Sequence, residues 1–134
     1  MDRVGISWKH KPGVTLLGDA AHLMTPFMGE GVNTAMRDAI ELANAIEGAV
    51  KDCGSKAVLD QSIEKYETEM FVRAERVTKL TEDMMKLMLF TEGAPRTVME
   101  RWCIRAMKDE LNSFVLQLFR VYVYVNFFFF RMFW

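Results

Sequence analysis

The residues that decide the fold read Val14-Thr15-Leu16-Leu17-Gly18-Asp19-Ala20-Ala21-His22-Leu23-Met24-Thr25-Pro26-Phe27-Met28-Gly29-Glu30-Gly31-Val32-Asn33-Thr34-Ala35-Met36-Arg37-Asp38. Val14 to Leu17, bounded by Gly13 and Gly18, have the length and apolar character of a buried strand. A lone strand leaves its backbone donors and acceptors without partners, so companion strands are expected outside this sequence. Gly18 allows a close backbone approach, and Asp19 stands at the strand's carboxyl end, where open α/β sheets place ligands. Ala20 to Leu23 suit one tight helical turn that Pro26 stops, and Gly29 and Gly31 flank Glu30 in a loop. Nothing else in the chain brings an acid, a proline and two glycines together before a helix start.

Downstream, Val32, Met36, Ile40, Ala43 and Ile46 recur at three- and four-residue steps and predict a helix from about Asn33 to Val50. Asn33 or Thr34 is its expected cap. The stripe is expected to be buried, with Arg37, Glu41 and Glu47 in water. After the polar loop from Lys51 to Lys56, a second helical pattern runs from Ala57 towards Phe90. Leu59, Ile63, Tyr66, Met70, Val77, Leu80, Met84 and Leu87 form its apolar stripe, and Glu64, Glu67, Arg73, Arg76 and Lys79 read as a solvated face. Thr91 to Pro95 break this helix, and a third is expected from about Pro95 to Phe119. Upstream, the polar and basic loop from Met1 to Pro12 has Trp8 as its one large apolar anchor.

The segment from Phe114 to Trp134 is strongly apolar and aromatic. As a helix it would reach across the ~30 Å of a bilayer core, although Arg120 and Arg131 each oppose central insertion by up to roughly 3 kcal/mol. A membrane anchor, packing against a further domain, and a tail produced by misplaced gene boundaries all remain open. The chain as a whole has 134 residues, 51% of them hydrophobic, and a net charge of -1, which suit one globular domain without a broad field for nucleic acid or acidic lipid. Cys53 and Cys103 have no Cys/His cluster around them, so no metal site or disulfide framework is indicated, and a reduced cytoplasmic chain is expected. The N-terminus lacks the pattern of a secretory signal.

Leu17-Gly18-Asp19-Ala20-Ala21-His22 with Pro26, Gly29, Gly31 and Asn33 resembles the second flavin-binding fingerprint of the class A FAD-dependent monooxygenases, the para-hydroxybenzoate hydroxylase-like family. The flavour is that of the tetracycline-inactivating and fungal branches. The close match spans Val14 to Asp38, Ala57 to Leu89 match loosely, and the tail does not match. The resemblance implies that Gly18 and Asp19 meet the ribityl chain of FAD and that Pro26 lies against the isoalloxazine. Gly29 and Gly31 would let the main chain pass the ring, and the amides of Gly31, Val32 and Asn33 would face its pyrimidine edge. It further implies NAD(P)H as reductant and transfer of one oxygen atom from a flavin C4a-hydroperoxide to a small aromatic, polycyclic or enolic substrate. No protein nucleophile is implied, and His22 reads as a hydrogen-bonded structural residue.

The Gly-x-Gly-x-x-Gly turn that seats a dinucleotide pyrophosphate, and the acid about twenty residues beyond it, are absent from this sequence. Thr25 stands where the family often has proline. The expected fold is therefore an α/β fragment, predominantly α-helical, with one strand of an FAD-binding domain followed by C-terminal helices. Residues 1–50 would belong to the FAD-binding domain, 51–113 to a helical region and 114–134 to the aromatic tail. A halogenase or other flavin oxidoreductase, and a non-catalytic helical fragment held to a membrane or partner, are the alternatives.

Overall fold

The computed structural model describes residues 7–133 apart from 53 and 109. It contains four α-helices, α1 (Glu30–Lys51), α2 (Lys56–Phe90), α3 (Met99–Ala106) and α4 (Ser113–Phe133), with single 3₁₀ turns at Gly18–Ala20 and Pro26–Met28. The chain divides into two compact units, Met1–Glu82 and Asp83–Trp134.

The predominantly helical character is as expected, but the strand is not formed. Among the described residues Val14 makes one isolated bridge, to Lys11, and Leu17 is extended without a ladder partner. The physical reason is the one foreseen for a lone strand: the chain supplies no neighbour to complete its hydrogen bonds.

In the first unit, Ala21, Tyr66 and Met70 form a core on which Trp8, Leu42, Ala45 and Phe71 pack. Trp8 meets the Phe71 ring edge-on, with centroids 4.6 Å apart, and its indole N–H donates to Glu67 Oε1 at 3.1 Å. Glu67 Oε2 is also 2.8 Å from His10 Nδ1. The α2 stripe faces inward as its spacing predicts, yet Glu67 is buried with it and so is most of Arg73. Their assignment to the wet face fails because each has charged or polar partners that compensate for lost water.

The orientation of α1 is the larger correction. Val32 and Ile40, on the stripe expected to be buried, are 70% and 60% exposed, whereas Asp38 is fully buried. Thr34, Asp38 and Ala49 face inward, with Leu42 and Ala45 beside them. Asn33 and Thr34 do not cap the helix; they are its fourth and fifth residues, and left-handed Gly29 is the N-cap, without a side-chain capping bond.

In the second unit, turns from Thr91 to Val98 separate α2 from α3, which is shorter than the helix expected there. Asn112 Oδ1 accepts the Val115 N–H at 2.9 Å, a capping bond that starts α4 at Ser113. The aromatic segment is thus helical, and Val123 packs inward. Partial burial pushes the Cys103 thiol up, in keeping with an unreactive side chain; Cys53 lies outside the described residues.

Candidate flavin-side cleft

The Gly18-Asp19 turn is set by one buried carboxylate. Gly18 has φ +58°, and a Cβ built on it would lie 3.1 Å from the Ala35 Cβ of α1, so glycine serves both the turn and the close approach. Its amide donates to Asp38 Oδ2 at 3.1 Å, the same oxygen that binds His22 Nε2. Asp38 Oδ1 accepts from Arg73 at 2.8 Å, and the other Arg73 terminal nitrogen lies 2.5 Å from Glu41 Oε2. The 3₁₀ turn, α1 and α2 are therefore joined at a single side chain.

Burial opposes ionisation of Asp38, but the hydrogen bonds from Arg73, His22 and the Gly18 amide outweigh it and hold the carboxyl below its usual range. Burial likewise opposes the Arg73 charge, and Asp38 and Glu41 overcome that too. Burial, followed by the Asp38 charge, pushes the Tyr66 phenol up. His22 is buried and hydrogen-bonded, as expected for a structural histidine.

Past this brace, the loop returns to α1. The Thr25 hydroxyl donates to the Thr81 carbonyl of α2 at 2.8 Å, so threonine ties the loop to α2. Pro26 opens a 3₁₀ turn whose carbonyl accepts the Gly29 N–H at 3.1 Å, and Gly29, at φ +69°, turns the chain into α1.

Of the seven residues singled out in the sequence, Gly18, Asp19, Pro26, Gly29, Gly31 and Val32 line one open cleft of about 670 Å³, with Ala35, Met36 and Ala39 along α1. Asn33 is exposed in the first turn of α1 and is not part of the lining. Cβ atoms built on Gly29 and Gly31 meet nothing within 4 Å, so these glycines leave room for a ring to approach the main chain. The first amides of α1 have no intrahelical acceptor and no side-chain cap. Acceptor carboxylate, open backbone and donor amides form a set that fits the ribityl chain and ring of a flavin. Arg73 and Glu41 were expected on wet faces, and Asp38 had no role in the sequence reading. The recurrence of Thr34, Asp38, Leu42, Ala45 and Ala49 along α1 was the available signal.

The sequence matches the FAD binding domain family profile over residues 2–81. The chain belongs to this family. This member of the FAD binding domain family is 39% identical over 89 residues to monooxygenase penA of Penicillium thymicola, a match covering 63% of this chain and 21% of that protein. It is 31% identical over 113 residues to the human mitochondrial ubiquinone biosynthesis monooxygenase COQ6, covering 78% of this chain and 23% of COQ6. With the uncharacterized aromatic compound monooxygenase YhjG of Bacillus subtilis it shares 32% identity over 101 residues, 75% of this chain and 18% of YhjG. The chain thus spans about a fifth of the length of these relatives. No solved structure matches the chain.

Proposed function

We propose that the chain is the flavin-side segment of an NAD(P)H-using monooxygenase that inserts one oxygen atom into a small aromatic or enolic substrate. The observation that carries the reading is the convergence of Asp19, Pro26, Gly29 and Gly31 on one cleft at the uncapped start of α1. The names of penA, COQ6 and YhjG support the reaction class, and that of YhjG supports an aromatic substrate.

FAD, when bound, supplies the redox and oxygen-activating chemistry. The chain's own task is to hold and polarise it. Asp19 would accept a hydroxyl of the ribityl chain, and Gly18 keeps that turn close to α1. Pro26 and Gly29 would border the ring. The amides of Gly31, Val32 and Asn33, with the positive end of the α1 dipole, favour negative charge at the ring edge by ~0.3 to 2 kcal/mol. Asp38 and Arg73 act through the turn they fix.

The test is the FAD content and NAD(P)H-dependent oxygen uptake of the native protein that carries this segment. One FAD per chain, lost in Asp19→Ala, is expected; a colourless protein that consumes no NAD(P)H refutes the reading. The 134-residue chain, lacking the dinucleotide turn, is expected to bind FAD poorly. A tight stoichiometric yellow complex of it would contradict that. A chloride requirement with a halogenated product would instead identify a halogenase.

A second reading, favoured by a 21-residue apolar helix of which only 6% of the most apolar window is buried, is that residues 114–134 contact a membrane.

A further inference from the structure

Pro26 and Gly29, which would border the ring, sit on a loop that is held from two sides. Upstream, His22 is bound to Asp38 of α1. Nearer the cleft the tie is Thr25, half-buried and itself part of the cleft lining. Thr25 occupies the N-cap position of the Pro26–Met28 turn, with φ -74° and ψ 147°, where a threonine hydroxyl ordinarily accepts from an amide of the turn it starts. Here it makes no such cap. It donates instead to the Thr81 carbonyl of α2, 56 residues along the chain, at 2.8 Å.

The receiving residue is completely buried, and its own hydroxyl is engaged within the helix, donating to the Thr78 carbonyl at 2.9 Å. A carbonyl has two lone pairs, so that of Thr81 can accept its helical partner and Thr25 together. Loss of the Thr25 hydroxyl therefore leaves no buried acceptor empty; what it removes is a restraint on the loop. The loop has little rigidity of its own, since the turn is three residues long and is closed by one bond, from the Gly29 N–H to the Pro26 carbonyl. Its glycine end has open space beside it, as a Cβ built on Gly29 would meet nothing within 4 Å.

We propose that Thr25 is a positioning residue of the flavin-side cleft: by holding the Pro26–Met28 turn to α2 at Thr81, it fixes where Pro26 and Gly29 stand when a flavin ring enters. This rests on the flavin reading of the cleft and adds the residue that sets its ring-side wall.

Two variants separate the hydroxyl from the shape of the side chain. Thr25→Val keeps the β-branch and loses the donor, whereas Thr25→Ser keeps the donor and loses a methyl group. In the 134-residue chain, amide hydrogen exchange read by NMR should be about tenfold faster at Gly29 in Thr25→Val, the factor that one net hydrogen bond corresponds to, and within about threefold of wild type in Thr25→Ser. Exchange at Tyr66 and Met70, in the core of the same unit, should move by less than about threefold in both variants. In the native protein that carries this segment, the FAD dissociation constant should rise about tenfold in Thr25→Val and stay within about threefold of wild type in Thr25→Ser.

Equal behaviour of the valine and serine variants in either measurement would overturn the tether. So would equal acceleration at Gly29 and Met70 in Thr25→Val, the mark of a merely structural loss. Faster exchange at Gly29 with unchanged FAD affinity would overturn the positioning role while leaving the flavin reading intact. A wild-type protein that holds no FAD would overturn that reading, and this role with it.

Discussion

Replacing Arg73 with methionine keeps most of the side chain's volume and removes the charge that Asp38 and Glu41 share. The guanidinium is mostly buried, and Asp38 is completely so, so water cannot take over the lost contacts at 2.8 and 2.5 Å. Removing one partner of a buried pair typically costs about 3 to 5 kcal/mol. The lower end applies because Asp38 keeps His22 and the Gly18 amide, and Glu41 is partly exposed. With a urea dependence of about 2 kcal/mol/M, a loss of about 3 kcal/mol lowers the unfolding midpoint by about 1.5 M. Asp38→Asn combined with Arg73→Met should be less destabilised than the sum of the single changes by at least about 1 kcal/mol, since the orphaned charge is then gone.

The pH dependence follows from the same contacts. In the native protein the Asp38 carboxyl is held below its ordinary value, so the unfolded chain binds the proton more readily. The stabilisation from this group is present above the unfolded value, near 4, and is lost as pH falls through the lower folded value. In Arg73→Met the largest opponent of desolvation is absent, so the folded value rises and acid loss begins at higher pH. Urea titrations followed by circular dichroism between pH 3 and 7 measure both effects. A single-variant cost below about 1 kcal/mol, or strictly additive costs, would refute the assignment of Asp38 as a buried joint.

Gly18→Ala should cost about 2 kcal/mol in urea unfolding, because φ is +58° and the Ala35 methyl stands 3.1 Å from the new carbon. Gly31→Ala, in the first turn of α1 with open space beside it, should leave stability unchanged or raise it by up to about 1 kcal/mol. Together these separate a glycine demanded by the fold from one that keeps the cleft clear. Glu67→Ala should cost about 2 kcal/mol and increase acrylamide quenching of tryptophan emission, as Trp8 and His10 lose their shared acceptor.

The sequence made the long helix legible because its stripe is continuous: Ile63, Tyr66, Met70 and Met84 are all buried where their spacing puts them. For α1 the same method found a true apolar stripe and assigned it the wrong surroundings. Periodicity tells which residues share a face, not what lies against it. Val32 and Met36 line the cleft and Ile40 is exposed, while the chain's own packing claims the opposite face around Asp38. Charged residues at that joint were unreadable one at a time, since each is stable in the interior only because the others are there. The loop from Gly18 to Gly31 could be read closely, because a fixed order of turn-forming residues leaves few backbone paths. The single helix expected from Pro95 to Phe119 is two, α3 and the start of α4, with Asn112 capping the second.

The joint at Asp38 also constrains how this segment diverges. A change at position 73 alone strands a buried carboxylate, and a change at 38 alone leaves a guanidinium and a histidine facing an empty acceptor. Lysine offers no planar fork with which to reach Asp38 and Glu41 together, so even that exchange is not neutral. Across many related sequences, positions 22, 38, 41 and 73 are therefore expected to be inherited as a block, each holding the others in place, while the exposed positions between them drift.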